Sequence, residues 1–267
     1  MIRDITIGQY YKADSVIHRL DPRVKLMGTL IFIISLFMGM NIWIYAVVTV
    51  AFAVVIKMSR IPLKFMVRGL KSIVILIIIS AVFNLFLTPG DVLIQIWKLT
   101  ITYQGLKMAI FMVVRLIYLI VGTSLMTLTT TPNNLTDGLE KGLGFLKVIK
   151  VPVHEIAMMM SIALRFIPIL IEETDKIMKA QMARGADFEN GSLIKRAKAM
   201  VPILVPLFVS AFRRANELAM AMEARCYHGS EGRTKMKPLK YEKRDRIAYI
   251  SMILYLGVII IVKIIAA

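Results

Sequence analysis

Two arginines in similar local sequences are the residues best suited to bind a charged or polar partner. Arg184 stands in the tripeptide Ala183-Arg184-Gly185, and Arg225 stands in Ala224-Arg225-Cys226. A guanidinium is always charged and offers a planar fork of donors to carboxylates or exposed carbonyls. Arginine in a last helical turn, followed by glycine, is also typical of an ordinary helix end, which explains each arginine equally well when it is taken alone. Their repetition favours two matching contact points.

Other chemistry has little support in the residues. Cys226 is the only cysteine, and His18, His154 and His228 are far apart, so neither a zinc site nor a nucleophile with a paired base is predicted. The chain contains no G-x-x-x-x-G-K-[ST] phosphate-binding loop. We therefore expect no metal, no cofactor and no catalytic activity, and any ATP that is used must be bound by another chain.

The composition is that of a protein with the lipid bilayer as its solvent. Apolar residues make up 58% of the chain, and the mean hydropathy is +0.71, above the range of soluble domains. The 34 Lys and Arg residues against 17 Asp and Glu give a net charge of +17. This charge must lie outside the hydrocarbon layer, mainly on the cytoplasmic side. The sequence thus predicts a multi-pass protein of the cell membrane.

Five membrane spans are predicted from the uncharged runs. Residues 26–56 carry no charge, and as one helix they would reach about 46 Å, beyond the roughly 30 Å hydrocarbon core. Basic residues on both sides predict a helical hairpin that turns near residues 39–41, with the N-terminus in the cytoplasm. Further spans are predicted over about 72–90, 108–131 and 247–262. Residues 1–131 and 247–267 form the predicted membrane domains.

The region 132–246 is predicted to be a cytoplasmic domain of amphipathic helices. After a short helix, two long helices are expected over about 153–185 and 194–226, each apolar at its beginning and charged at its end. Crossing of the membrane by these apolar beginnings would place the six basic residues between 172 and 198 outside, against the positive-inside bias. We therefore expect both helices to lie beneath the membrane.

Arg115 is the one basic residue within a predicted span. An intramembrane charge is a functional candidate by default. It lies only about 11 Å from the outer end of its helix, so extension of its side chain toward the outer surface explains it at least as well. The sequence assigns Arg115 to no site.

The chain resembles the transmembrane (T) component of energy-coupling factor (ECF) transporters, a family that includes cobalt and biotin versions, over essentially its whole length. Residues 18–26 (HRLDPRVKL) are similar to the N-terminal signature of that family. Residues 165–168 (RFIP) with 172–173 (EE) are similar to its coupling-domain signature, and residues 181–187 (QMARGAD) and 221–227 (AMEARCY) to its two Ala-Arg-Gly motifs. Cys226 departs from the glycine usual at that place.

The resemblance implies a coupling subunit. In this family, each arginine inserts into a groove of one of two ATP-binding subunits, which are expected to form a heterodimer, and a separate capture (S) subunit holds the vitamin or transition metal. Arg184 and Arg225 are the implied ATPase-coupling residues, with Ala183, Gly185, Ala224 and Cys226 beside them. The imported substrate is then a property of the capture subunit, and this sequence does not specify it.

Three alternatives are less well supported by the sequence. An ordinary importer permease would line the substrate path itself and would carry a Glu-Ala-Ala loop, whereas Glu172-Glu173 is followed by Thr174. An intramembrane enzyme needs paired acids, a Ser with a His or metal ligands within its spans, whereas the only charged residue in the predicted spans is Arg115. A nucleic-acid binder needs basic surfaces with stacking aromatics, but residues 131–246 interleave 13 acids with 20 bases.

Overall fold

The protein is an α-helical chain with one small β-hairpin. A computed structural model describes residues 10–71, 73–96, 99–188, 192–229, 236 and 238–265. Within these residues the helices are α1 (Pro22–Phe37), α2 (Ile42–Ser59), α3 (Leu63–Lys71), α4 (Val74–Leu87), α5 (Tyr103–Thr129), α6 (Pro132–Gly142), a 3-10 helix (Gly144–Ile149), α7 (Val153–Ala183), α8 (Leu193–Glu223) and α9 (Lys243–Ile265). The prediction of an all-α protein is confirmed.

The chain divides into two compact units. The membrane unit comprises residues 8–142 and 239–267, and the hairpin unit comprises residues 143–238, with residues 1–7 outside the described part. Helix α6, which the sequence assigns to the cytoplasmic domain, belongs to the membrane unit. Compactness does not test which segments lie in the cytoplasm, so the domain boundaries at 131/132 and 246/247 stay a prediction.

Polar caps define the first two helices of the membrane unit. Asp21 caps α1 by accepting a hydrogen bond from the backbone N–H of Arg23, with Pro22 in the first turn. Asn41 caps α2 by accepting one from the N–H of Trp43. Such caps satisfy amides that have no partner within the helix. The turn between the two helices lies where the sequence predicts it.

Several described helices are long and apolar enough to cross a bilayer. They are α2, α5, α7 and α9, and α3 with α4 would add a fifth, bent by 65°. This bears out a polytopic membrane protein. The set differs from the predicted one, because α1 has only 16 residues, about 24 Å in length, whereas α7 meets the length and apolarity required. The predicted exclusion of α7 from the membrane therefore depends on charge and not on its length.

The third predicted span, about 72–90, corresponds to α4 (Val74–Leu87), which is shorter at both ends. Helix α3 (Leu63–Lys71) precedes it as a separate helix, with residue 72 outside the described part. The segment that follows is an antiparallel β-hairpin of β1 (Val92–Ile96) and β2 (Leu99–Thr102). Isoleucine and threonine favour strands, and pairing satisfies backbone groups that an irregular segment would leave open.

Apolar side chains of α1, α2, α3, α5 and α9 form the core of the membrane unit. One cluster is centred on Phe52, Met66 and Leu125, and the Phe32 ring stacks on Phe52 at 4.8 Å between centroids. A second cluster centres on Leu36 and joins α2 to α9. Many other apolar side chains of these helices are exposed, as expected where lipid replaces water as the surrounding medium.

Candidate functional site

Helix α7 ends in a Schellman motif built around Arg184. The N–H of Gly185 donates to the carbonyl of Met182, and the N–H of Ala186 donates to that of Gln181, both at 3.0 Å. Gly185 has φ +88°, the left-handed conformation in which glycine has no steric cost. These bonds satisfy the final carbonyls of the helix and hold Arg184 at its last position.

Helix α8 ends in the same motif around Arg225. The N–H of Cys226 donates to the carbonyl of Glu223 at 2.9 Å, and the N–H of Tyr227 donates to that of Met222 at 3.1 Å. Cys226 takes the place of Gly185 and has φ +55°. The departure from glycine noted in the sequence therefore leaves the cap geometry intact and places a strained non-glycine residue in it.

Both guanidinium groups are available to a partner. Arg184 and Arg225 are exposed, as are Ala183, Gly185, Ala224 and Cys226. Within the described part of the chain, neither arginine side chain donates a hydrogen bond or forms an ion pair. Each arginine thus presents its full set of donors at a helix end.

Helices α7 and α8 pack antiparallel in the hairpin unit. Glu173 on α7 accepts hydrogen bonds from Ser210 and from the Arg214 guanidinium on α8, the latter at 2.9 Å. Further along, the Tyr227 hydroxyl after α8 lies 3.1 Å from the Met158 sulfur near the start of α7. From the first contact to the second, the residue numbers fall on α7 and increase on α8. The two helices therefore run in opposite directions.

The two arginines consequently lie toward opposite ends of the helical hairpin. Arg184 follows Glu173 by eleven residues, and Arg225 follows Arg214 by the same number. At 1.5 Å per residue, each arginine lies about 16 Å along its helix from the central Glu173–Arg214 ion pair, in opposite directions. Antiparallel packing separates them rather than bringing them together.

A groove beside Arg225 contains a residue that the sequence did not assign to the site. Its volume is about 640 Å³, and its lining includes Arg165 and Arg225 as well as Met158, Leu218 and Tyr227. Arg165 belongs to the coupling-domain signature, and it lines the same groove as Arg225 because the helices run antiparallel. Among the described residues, the lining of the groove includes no acidic side chain, which favours carboxylates or carbonyls of a partner.

Arg115 belongs to the membrane unit and is not extended toward a surface. It is 7% exposed, and its Nε donates to the Tyr45 hydroxyl at 3.0 Å. That hydroxyl donates in turn to the carbonyl of Leu36 at 3.3 Å, and the guanidinium lies 5.0 Å from the Phe37 ring. The cation therefore stabilises the C-terminal end of α1, where the helix dipole is negative.

Candidate metal ligands are scattered in the part of the chain that the structure describes. No group of three or more His, Cys, Asp or Glu side chains there is placed to hold a metal ion. The lone Cys226 is exposed and belongs to the α8 cap.

These features define an all-α, multi-pass membrane protein that carries a long helical hairpin with an arginine at the end of each helix. Comparison with known proteins identifies the family. The family described as CbiQ, cobalt transport protein, matches residues 13–236. The chain therefore belongs to the CbiQ family, and the predicted resemblance is confirmed.

Curated relatives agree over nearly the whole chain. The energy-coupling factor transporter transmembrane protein EcfT of Clostridium kluyveri is 57% identical over 250 residues, covering 93% of each chain. The protein of that name from Thermosediminibacter oceani is 56% identical, covering 94% of each chain. That of Bacillus subtilis is 48% identical over 254 residues, covering 95% of this chain and 96% of the relative. Relatives this similar make the chain a transmembrane component of the ECF transporter type.

Proposed function

We propose that this chain couples ATP hydrolysis by two ATP-binding subunits to movement of a capture subunit during uptake of a vitamin or transition metal. The observation that carries this proposal is the pair of Schellman motifs that hold Arg184 and Arg225 exposed at the two helix ends. Each arginine would insert into a groove of one ATP-binding subunit. The separation of the two arginines suits two separate docking sites.

The proposed mechanism depends on α7 and α8 moving together as a stiff pair. As the ATP-binding subunits close and open, the two arginine-tipped helix ends would follow them. The Glu173–Arg214 ion pair and the Tyr227–Met158 contact tie α7 to α8, so the helices would move as connected rods. Exposed apolar residues of α8, such as Leu204 and Phe208, would then pass the motion to the capture subunit.

The proposed placement puts the N-terminus and residues 132–246 in the cytoplasm, where ATP is available. Catalysis would belong to the partner chains, expected as an EcfA-type heterodimer. This chain would contribute recognition and mechanical coupling without any covalent step. The positive-inside bias supports this orientation.

Replacement of both arginines tests the proposal. The double variant Arg184→Glu/Arg225→Glu reverses both charges, so the ATP-binding subunits should no longer co-purify with the tagged chain from its native host. Lys179→Glu/Arg213→Glu is the matched control, since it changes two exposed cations on the same helices by the same charge. Mass spectrometry of the co-purified proteins is the measurement. Full retention of both ATP-binding subunits by the arginine double variant would refute the proposal.

A conservative variant separates charge from geometry. Arg184→Lys/Arg225→Lys keeps both positive charges but loses the planar fork of donors. We expect binding intermediate between the wild type and the Glu variant. Binding equal to the wild type would show that charge alone is recognised.

A further inference from the structure

The N-terminal signature at residues 18–26 has no part in the proposed docking, yet it makes polar contacts with distant segments of the membrane unit. We call this group of contacts the base anchor. Its central members are Asp21, Arg23, Lys25, Gly138 and Asp245, together with the groups that they contact.

Asp245 joins the beginning of α9 to the beginning of α1. It is 2% exposed, and its Oδ1 accepts a hydrogen bond from the backbone N–H of Asp21 at 2.9 Å. Its Oδ2 accepts one from the N–H of Glu242 at 2.8 Å, which caps α9. One buried carboxylate therefore satisfies backbone donors at the beginnings of both helices and links Asp245 to Asp21, 224 residues away in sequence.

Arg23 strengthens the same junction. Its guanidinium forms two hydrogen bonds with the Asp21 carboxylate and lies 3.8 Å above the Tyr241 ring. Burial by itself would raise the pKa of Asp21, but the hydrogen bonds and charge of Arg23 outweigh it, and the pKa lies below its ordinary value. Asp21 is thus ionised and forms an ion pair with Arg23.

Lys25 joins the same motif to the end of α5. Its Nζ, on a residue only 9% exposed, donates to the carbonyl of Thr129 at 2.8 Å and to that of His18 at 3.1 Å. The Tyr11 N–H donates to the carbonyl of Leu128 at 2.9 Å. These bonds satisfy carbonyls of the last turn of α5, immediately before α6 begins.

Helix α6 packs directly on the motif. A Cβ added to Gly138 would lie 2.8 Å from Pro22 Cβ and 3.3 Å from the Pro22 carbonyl carbon. No side chain fits at that distance, so glycine allows α6 to approach α1. By contrast, a Cβ at Gly142 on the same helix would meet nothing within 4 Å.

The connectivity gives this cluster a mechanical meaning. The chain leaves the membrane unit after α6, at residue 142, and returns to it at residue 239, just before Tyr241 and α9. Both covalent connections to the hairpin unit are thus held by one motif. We propose that the base anchor is a positioning element for transport, which holds both connections so that motion of the hairpin unit reaches the spans instead of being lost in the connecting segments.

This inference rests on the proposed coupling function, and its test uses one variant for each connection. Asp245→Asn keeps the shape of the side chain but cannot accept both N–H bonds, so it loosens the α9 connection. Gly138→Ala pushes α6 away from Pro22 and loosens the other. The controls are Arg19→Gln, which alters an exposed residue of the same motif, and Gly142→Ala.

The measurement is transport per ATP hydrolysed in the complete complex reconstituted in proteoliposomes. The probe is a radiolabelled B vitamin whose uptake is lost when the gene for this chain is deleted. We expect Asp245→Asn and Gly138→Ala to assemble with the ATP-binding subunits and hydrolyse ATP, while uptake per ATP falls severalfold. Both controls should match the wild type.

Arg23→Gln provides a milder variant if Asp245→Asn fails to assemble, because it removes only the ion pair and the ring contact. A merely structural role would lower the yield or melting temperature of the complex and leave uptake per ATP unchanged, and that result would overturn the inference. Failure of the coupling proposal itself would look different, since the Arg184→Glu/Arg225→Glu complex would then retain its ATP-binding subunits.

Discussion

At the scale of single residues, the two arginine caps share one geometry despite different sequences. Gly185 takes its left-handed conformation freely, whereas Cys226 pays a steric cost for φ +55°. The hydrogen bonds of the two Schellman motifs nevertheless correspond one for one. The strain is therefore local to Cys226 and leaves the position of Arg225 unchanged.

Cys226→Gly should stabilise the isolated chain by about 0.5–1 kcal/mol, since relief of the left-handed strain exceeds the extra entropy that glycine gives the unfolded chain. Gly185→Ala should destabilise it by a similar amount, as nothing near Gly185 would clash and only the backbone is strained. Thermal unfolding in detergent measures both. A lower melting temperature for Cys226→Gly would contradict the inference that Cys226 is strained in its left-handed conformation.

Arg115 shows how a membrane span tolerates a buried cation. Its charge faces the C-terminal end of α1, the Phe37 ring and the Tyr45 hydroxyl. Each of these presents negative or acceptor character to the guanidinium.

Tyr45→Phe should therefore destabilise the membrane unit by about 1–3 kcal/mol, because it removes the hydrogen-bond acceptor of a buried charge. Tyr103→Phe is the control, since Tyr103 is 57% exposed. Unfolding midpoints in detergent compare the two variants. Recovery of stability in Arg115→Met/Tyr45→Phe would support the explanation, and equal midpoints for the two single variants would contradict it.

At the scale of secondary-structure elements, close glycine contacts determine which helices meet. Gly105, in the first turn of α5, lies against the end of α4. A Cβ added there would lie 2.9 Å from the Leu85 carbonyl oxygen and 2.8 Å from Thr102 Oγ1. A backbone oxygen cannot move aside as a flexible side chain can. The contact thus requires glycine.

Gly105→Ala should destabilise the α4–α5 packing by about 1–3 kcal/mol through overpacking. Gly257→Ala on α9 is the control, because an added Cβ there meets nothing within 4 Å, and alanine favours a helix. The melting temperature should fall for Gly105→Ala and should stay the same or increase for Gly257→Ala. An unchanged value for Gly105→Ala would mean that α4 and α5 separate at little cost.

At the scale of the whole molecule, the orientation of the hairpin unit is predicted from charge. The segment 172–198 carries six basic residues, and α7 meets the length and apolarity of a span. Because Lys and Arg are favoured on the cytoplasmic side of a membrane, this segment is predicted to lie in the cytoplasm.

Cysteine labelling measures that orientation. In a Cys226→Ser background, Lys179→Cys should react with a membrane-impermeant maleimide only after the cells are permeabilised. Leu93→Cys, exposed in β1, should react in intact cells and serves as the control for the outer side. Labelling of Lys179→Cys in intact cells would place α7 across the membrane and contradict the predicted topology.

The sequence by itself determined the class, the first helical hairpin and the two arginine helix ends. These features depend on local quantities: apolar run length, caps such as Asp21 and Asn41, and the residues that follow Arg184 and Arg225. The same local signals predicted α7 and α8 to within a few residues at each end. The family signatures could be read in the sequence for the same reason.

Tertiary structure alone decided the contacts between distant segments. Antiparallel packing separates Arg184 from Arg225 and places Arg165 and Arg225 in the lining of one groove, and a hydrogen bond joins Asp21 to Asp245. No short-range sequence pattern relates these residues. The burial of Arg115 was missed for this reason, since its partner Tyr45 lies on another helix. Side-chain packing between helices depends on the complete set of neighbours, and that set exists only in the folded chain.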